Sequence, residues 1–278
     1  MKKRNKYIKI KLSSYGVLFV QVMILIFVFL PIIWGFRTSL STSTYDIDII
    51  PKAITFKNYI LVMGSESFRT ALKNSLIYSI GTVCVLTPII LLAAYALARM
   101  KFVGKGIVRT LLLVIPLLPS VALLIPLSRE LNKLGLLNTR LGIILLNVTF
   151  QSCFTCWMMH NFFVTLPVSV EEAAYLDGCS RLQSLLRIVL PNAITGIISV
   201  VVYSFISSWL SYLIPYMVAS QTQYFSLPQA LLFLQGQYGA NYPQLTAAAM
   251  ITLIPPLLFF CVFQKWFIKG LFGVSNEK

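Results

Sequence analysis

SVEEAAYLDGCSRLQSLLRIVLP, from Ser169 to Pro191, is the one stretch of this chain whose polar residues are organised by spacing. Ser169-Val-Glu-Glu172 has the pattern of a capping box, in which the serine hydroxyl accepts from the backbone of the third helical residue and Glu172 reaches back to the cap. A short helix is expected to follow and to stop at Gly178, which takes the left-handed conformation at a helix end without penalty. Ser180-Arg-Leu-Gln183 repeats the capping-box pattern and opens a second helix, with an apolar stripe at Leu182, Leu185, Leu186 and Val189 and an end at Pro191. Helices shorter than about 12 residues are marginal alone. Both are therefore expected to lie against something, and the Ala173-Ala174 pair leaves a smooth surface for close approach.

Outward from this loop the chain is strongly apolar. Of its 278 residues 58% are hydrophobic and 11% charged, and its mean hydropathy is +0.82. An average globular protein carries about 25% charged residues, so this composition cannot coat a water-facing surface, and the medium around most of the chain is lipid. A soluble enzyme, a disordered protein and a disulfide scaffold are excluded. A hydrocarbon core about 30 Å thick needs roughly 20 mostly apolar residues in a helix. Six stretches qualify: Tyr15–Phe36, Leu72–Leu97, Ile107–Leu127, Leu141–Phe163, Ala193–Val218 and Leu245–Ile268. The expected fold is all-α, a polytopic membrane protein with six transmembrane helices.

The net charge of +15 sorts by position. Lys2, Lys3, Arg4, Lys6, Lys9 and Lys11 precede the first span, which is too long for a cleaved signal and lacks a small-residue cleavage site. With the N-terminus inside, Arg99, Lys101, Lys105, Arg109, Arg181, Arg187, Lys265, Lys269 and Lys278 join them. Arg37, Lys52, Lys57, Arg69, Lys73, Arg129, Lys133 and Arg140 fall outside. The bias places both termini in the cytoplasm, and the basic tail reads as a topology signal with no nucleic-acid partner. The expected organisation is a basic N-terminus (1–14), a first transmembrane helix (15–36), an extracytoplasmic loop (37–71), a five-helix core (72–268) that carries the cytoplasmic loop 165–192, and a cytoplasmic tail (269–278). Cys153 and Cys156 have the spacing of a redox or metal pair, but ligation needs more partners and His160 is the single histidine; no metal site is expected.

None of the six spans holds an Asp or Glu, so the usual sign of ion coupling is missing. Proline interrupts them instead, at Pro116, Pro119 and Pro126 in the third, Pro215 in the fifth and Pro255-Pro256 in the sixth, each expected to kink a single helix. Ser204, Ser207, Ser208 and Ser211 share one face of the fifth span, with Tyr212 beside them, and Asn147 and Gln151 sit in the fourth. Two readings stay open for these residues. They line a path for a neutral, hydroxylated solute, or they let helices pack closely.

Glu172-Ala173-Ala174, three residues, Gly178, nine residues, Ile188, one residue and Leu190-Pro191 resemble the EAA signature of ATP-binding-cassette (ABC) importer permeases at every fixed position. Other segments are similar to the carbohydrate, maltose-permease-like branch: Lys73-Asn74-Ser75-Leu76, Ala94-Tyr95-Ala96-Leu97-Ala98-Arg99, Gly135-Leu136-Leu137-Asn138-Thr139, Leu227-Pro228, Gln235–Gly239 and Gln264–Leu271. The resemblance covers nearly the whole chain.

It implies a type I importer permease in the cell (inner) membrane, paired with a second permease subunit, seated on two cytoplasmic ATPase subunits and supplied by an extracytoplasmic solute-binding protein. The EAA loop would be the coupling element, which makes Glu171, Glu172, Ala173, Ala174, Asp177, Gly178, Ile188, Leu190 and Pro191 the coupling candidates. The chain holds no phosphate-binding Gly-rich loop. No cofactor is therefore expected on this subunit, ATP and Mg being used by the partner ATPases. Two features depart from the family: Trp209 is followed by Leu210-Ser211-Tyr212 where members often carry an Asn–acid pair, and the tail reads Phe272–Lys278. The alternatives are an ABC permease for a peptide, polyamine or phosphonate, and an autonomous carrier or membrane enzyme.

Overall fold

The computed structural model describes residues 2–43, 48, 53–237 and 241–272. Tyr238 and Gly239 of the Gln235–Gly239 segment, and residues 273–278 of the tail, lie outside them. The described chain is helical apart from one isolated bridge between Ser41 and Ile54. Four helices are long and apolar enough to cross a membrane, at Gly16–Ser39, Glu66–Arg99, Arg140–Thr165 and Tyr242–Trp266, and the number reaches at most six if the bent pairs Lys105–Leu117 with Ser120–Lys133 and Arg181–Asn192 with Ile194–Trp209 each count as one span. The chain divides into two compact units, Met1–Ser65 with Leu234–Ile251, and Glu66–Phe233 with Thr252–Lys278.

In the first unit α1 (Lys2–Ser39) continues beyond the apolar window that announced it, because its last carbonyls find donors. The Asn58 amide of α2 (Lys57–Gly64) donates to Ser39 O and Ser41 O, both at 2.9 Å, and the Ser39 hydroxyl lies 2.6 Å from Tyr59 OH. The segment expected as a plain external loop thus holds a helix of its own and a cap for the preceding one. The Arg37 guanidinium sits 5.5 Å from the Trp34 ring centroid.

The second unit is organised around α3 (Glu66–Arg99), which packs against α6 (Arg140–Thr165) and α10 (Ile194–Trp209). Its core joins Leu86, Ile90 and Ala94 of α3 to Met159 and Phe163 of α6 and Val200 of α10. A Cβ at Gly196 would stand 2.5 Å from the Phe162 ring, so the absence of a side chain there sets how closely α10 approaches α6. At the α6 N-terminus Thr139 caps through its hydroxyl, accepting from Gly142 N at 3.0 Å. Asn138, at φ 55, accepts from Ser220 N at 2.7 Å. Asn74 donates to Gln223 O and Phe225 O, and Ser75 accepts from Leu227 N at 2.8 Å. Three segments that resemble the carbohydrate branch, Lys73–Leu76, Gly135–Thr139 and Leu227-Pro228, are therefore staples of the fold.

The third and fifth spans depart from the single kinked helices expected. The third is two helices, α4 (Lys105–Val114) and α5 (Ser120–Lys133), joined through a 3₁₀ turn at Ile115–Leu117 and bent by 101°. Pro116 and Pro119 remove two donors in four residues, and Leu118, preceding Pro119, is extended at ψ 140, as a pre-proline residue must be. Pro126 stays inside α5. The fifth breaks at Leu210–Tyr212, ahead of Pro215, which lies within the short helix α11 (Leu213–Val218). Pro255 and Pro256 are accommodated inside the last helix, Tyr242–Phe272. Pro256 has no N–H for the carbonyl four residues earlier, Thr252, and the Trp209 indole N–H donates to that oxygen at 3.1 Å. A freed carbonyl at membrane depth is tolerated where protein satisfies it.

Candidate functional site

The loop between α6 and α10 is a built structure. Leu166 is extended before Pro167, and the proline, with φ near −65°, starts the turn early. Helix α7 (Ser169–Leu176) therefore has Val168 as its cap residue, already in helical conformation, and Glu171 N and Glu172 N both donate to Val168 O. The capping box expected at Ser169 is not formed, since a cap residue must be extended to aim its hydroxyl at the backbone. Ser180 meets that condition at ψ 163, and there the box is complete: Ser180 Oγ accepts from Gln183 N, and Gln183 Oε1 accepts from Ser180 N at 2.8 Å.

Gly178 ends α7 at φ +84. Cys179 N donates to Ala174 O and Gly178 N to Tyr175 O, the paired bonds of a Schellman motif. The second arm runs through α8 (Arg181–Ser184), a π turn at Leu185–Val189 and α9 (Leu190–Asn192), and turns by 78° into α10. The helix ends at Asn192, one residue past the Pro191 expected to end it, and the Asn192 amide donates to Ile188 O at 2.8 Å. The apolar stripe is half as wide as its spacing indicated. Leu185 and Val189 join the core, while Leu182 and Leu186 are 58% and 54% exposed.

The two faces of α7 differ in chemistry. Glu171 is 3% exposed and Ala174 is buried. Arg99 Nε, in the last turn of α3, donates to Glu171 Oε1 at 2.6 Å, and Arg99 Nη2 donates to Leu166 O at 3.0 Å. Tyr95 OH donates to Glu171 Oε2 at 2.9 Å and lies 3.2 Å from Tyr175 OH. On the other face Glu172, Ala173, Asp177 and Gly178 are exposed, with Leu176 at 90%. Glu172 and Asp177 have no hydrogen-bond or ion partner among the described residues. Of the coupling candidates, then, Glu171 and Ala174 face the bundle, Ile188 and Leu190 are half-buried, and Glu172, Ala173, Asp177, Gly178 and Pro191 face out. Sequence reasoning missed Tyr95, Arg99, Tyr175 and Leu176. The first three were discoverable only as matched four-residue steps, 95 and 99 against 171 and 175.

The residues singled out in the spans separate into two groups. Asn147 is buried and donates to Ile143 O of its own helix, and Gln151 Nε2 donates to Ser208 Oγ at 2.9 Å, bridging α6 and α10. Ser204 is fully buried and Ser207 half-buried. Ser211 and Tyr212, by contrast, lie at the break in the fifth span and line a cavity of about 370 Å³ with Ser120, at the break in the third, and Phe150. The Tyr212 and Tyr216 rings stack at 5.3 Å.

The described residues form a helical bundle of membrane-spanning character, with broken helices in its middle and a structured helical loop at one end. Residues 86–273 match the family described as binding-protein-dependent transport system inner membrane component. A probable ABC transporter permease protein of Pyrococcus horikoshii is 35% identical over 230 residues, 82% of this chain and 83% of that protein. The trehalose transport system permease protein of Mycobacterium tuberculosis is 31% identical, over 87% of this chain and 90% of its own length. Among solved structures, a bacterial ABC transporter involved in the import of the acidic polysaccharide alginate superposes with a TM-score of 0.81 at 23% identity, covering 92% of this chain and 97% of that one. The chain belongs to the binding-protein-dependent permease family. It is a permease subunit of an ABC importer, a transport component without catalytic activity of its own.

Proposed function

We propose that the 165–192 loop is the cytoplasmic coupling element of this importer, and that the solute is a sugar or oligosaccharide. In this reading the outward residues Glu172, Ala173, Leu176, Asp177 and Gly178 dock on one of two ATPase subunits, which bind ATP and Mg. A second permease subunit completes the pore, an external binding protein delivers solute, and both termini lie in the cytoplasm. The observation that carries the coupling reading is the division of α7 into a bonded face and an exposed one. Exposed leucines beside unpaired carboxylates are the composition of a protein contact surface.

The sugar reading rests on the trehalose and alginate transporters among the similar proteins. It is also supported by the pairing of hydroxyls (Ser120, Ser211) with aromatic rings (Phe150, Tyr212) at the two helix breaks. Broken helices place solute-binding groups inside membranes in other transporters. The buried residues Asn147, Gln151, Ser204 and Ser208 belong to packing in this scheme, and Ser207, Ser211 and Tyr212 remain as the path.

Gly178→Leu and Glu172→Lys test the coupling reading. Both are expected to abolish uptake and to reduce co-purification of the ATPase; unchanged uptake and assembly in both would overturn it. Uptake of labelled sugars against a labelled peptide and a polyamine, in proteoliposomes with the binding protein, tests the solute class, and accumulation of the peptide or polyamine alone refutes the sugar.

A further inference from the structure

The ion pair beneath α7 sits where motion of the loop must enter the membrane helices. Its four side chains come as two matched pairs: Tyr95 and Arg99 are one turn apart on α3, and Glu171 and Tyr175 are one turn apart on α7. Arg99 uses two donors on two targets, the Glu171 carboxylate and the Leu166 carbonyl. It thereby grips both the body of α7 and the extended turn at Leu166 that leads into it. Tyr95 occupies the remaining carboxylate oxygen. Arg99 stands in the last turn of α3 and Glu171 in the first turn of α7, so each charge also complements the dipole of its own helix. The pair is nearly dry, with side-chain exposures of 13% and 4%, where attraction is screened little by salt.

Helix α3 is the member of the second unit that packs on both α6 and α10. We infer that Arg99, with Tyr95, is the positioning residue of the coupling loop: a latch that makes α7 and α3 move as one body, so that displacement of the exposed face of α7 is delivered to the membrane bundle. The inference rests on the coupling reading of the loop. It adds that docking and transmission are separate functions of adjacent residues, Glu172 docking outward and Glu171 transmitting inward. An arginine is required because a lysine ammonium lacks the planar fork that reaches carboxylate and carbonyl together.

The experiment uses the complete transporter, both permeases and both ATPases, in proteoliposomes with its binding protein, and reads solute imported per ATP hydrolysed. Arg99→Ala is expected to leave the ATPases bound and hydrolysing while import per ATP falls about tenfold, the upper range for residues that carry coupling between sites. Arg99→Lys is expected to recover part of the loss and Tyr95→Phe to show a smaller one. Should Arg99→Ala not assemble, the near-isosteric Glu171→Gln and Tyr95→Phe carry the test. Normal import per ATP in assembled complexes of these variants overturns the latch, and so does loss of the ATPases from them, since that would make the pair part of the docking surface. The docking variant Glu172→Lys, run alongside, separates the two claims. If it and Gly178→Leu both assemble and transport normally, the coupling reading itself fails; if Glu172→Lys alone loses the ATPase, only the latch is being judged.

Discussion

The loop end of the second unit and the helix breaks in its middle treat polar groups in opposite ways. At the loop end a full charge pair is buried and both carboxylate oxygens of Glu171 are occupied, so that two helices are held in one register. At the breaks no charge is buried. Ser120, Ser211 and Tyr212 stand beside an open cavity with no side-chain hydrogen bond among the described residues. The difference fits the roles proposed for the two regions. A lever needs directional bonds that resist displacement, whereas a surface over which a neutral solute passes needs groups that are not already committed and not strongly attractive.

The largest effect is expected at the ion pair. Arg99→Ala leaves Glu171 buried without its cation and is expected to cost about 3–5 kcal/mol, seen as a lower midpoint in thermal unfolding of the purified subunit complex. A change below about 1 kcal/mol would mean the carboxylate is readily rehydrated. Gly178→Leu forces a side chain into the left-handed region and should cost about 1–2 kcal/mol, with the loss confined to the loop in hydrogen exchange. Trp209→Phe leaves the Thr252 carbonyl without its indole donor. About 1 kcal/mol is expected, the scale of hydrogen bonds between membrane helices. The smallest effects are expected at the two serines of the loop. Ser180→Ala removes a working cap at about 1 kcal/mol, while Ser169→Ala, which removes none, should fall within about 0.5 kcal/mol. Ser211→Ala should likewise leave stability unchanged while altering the apparent KM for solute.

Much of the loop was legible because its signals are local. Gly178 and Ser180 act through residues one to four positions away, and both behave as their spacing indicated. Ser169 has the same spacing as Ser180, yet fails as a cap because the backbone is already helical at Val168, one residue too soon. The breaks were legible only in part. Pro116 and Pro119 mark theirs, but Leu210-Ser211-Tyr212 contains no proline or glycine, and that break lies ahead of the Pro215 expected to cause a kink.

From composition and period alone follow the membrane environment, the six apolar stretches, the helix–turn–helix between the fourth and fifth, and the absence of buried acids within those stretches. Each depends on a residue and its near neighbours, or on their sum. Which of two adjacent glutamates turns inward is another kind of question. The local capping pattern points to Glu172 and says nothing of Glu171, and only the folded chain, by bringing Arg99 across 72 residues of sequence, makes Glu171 a buried anchor and leaves Glu172 exposed at the surface.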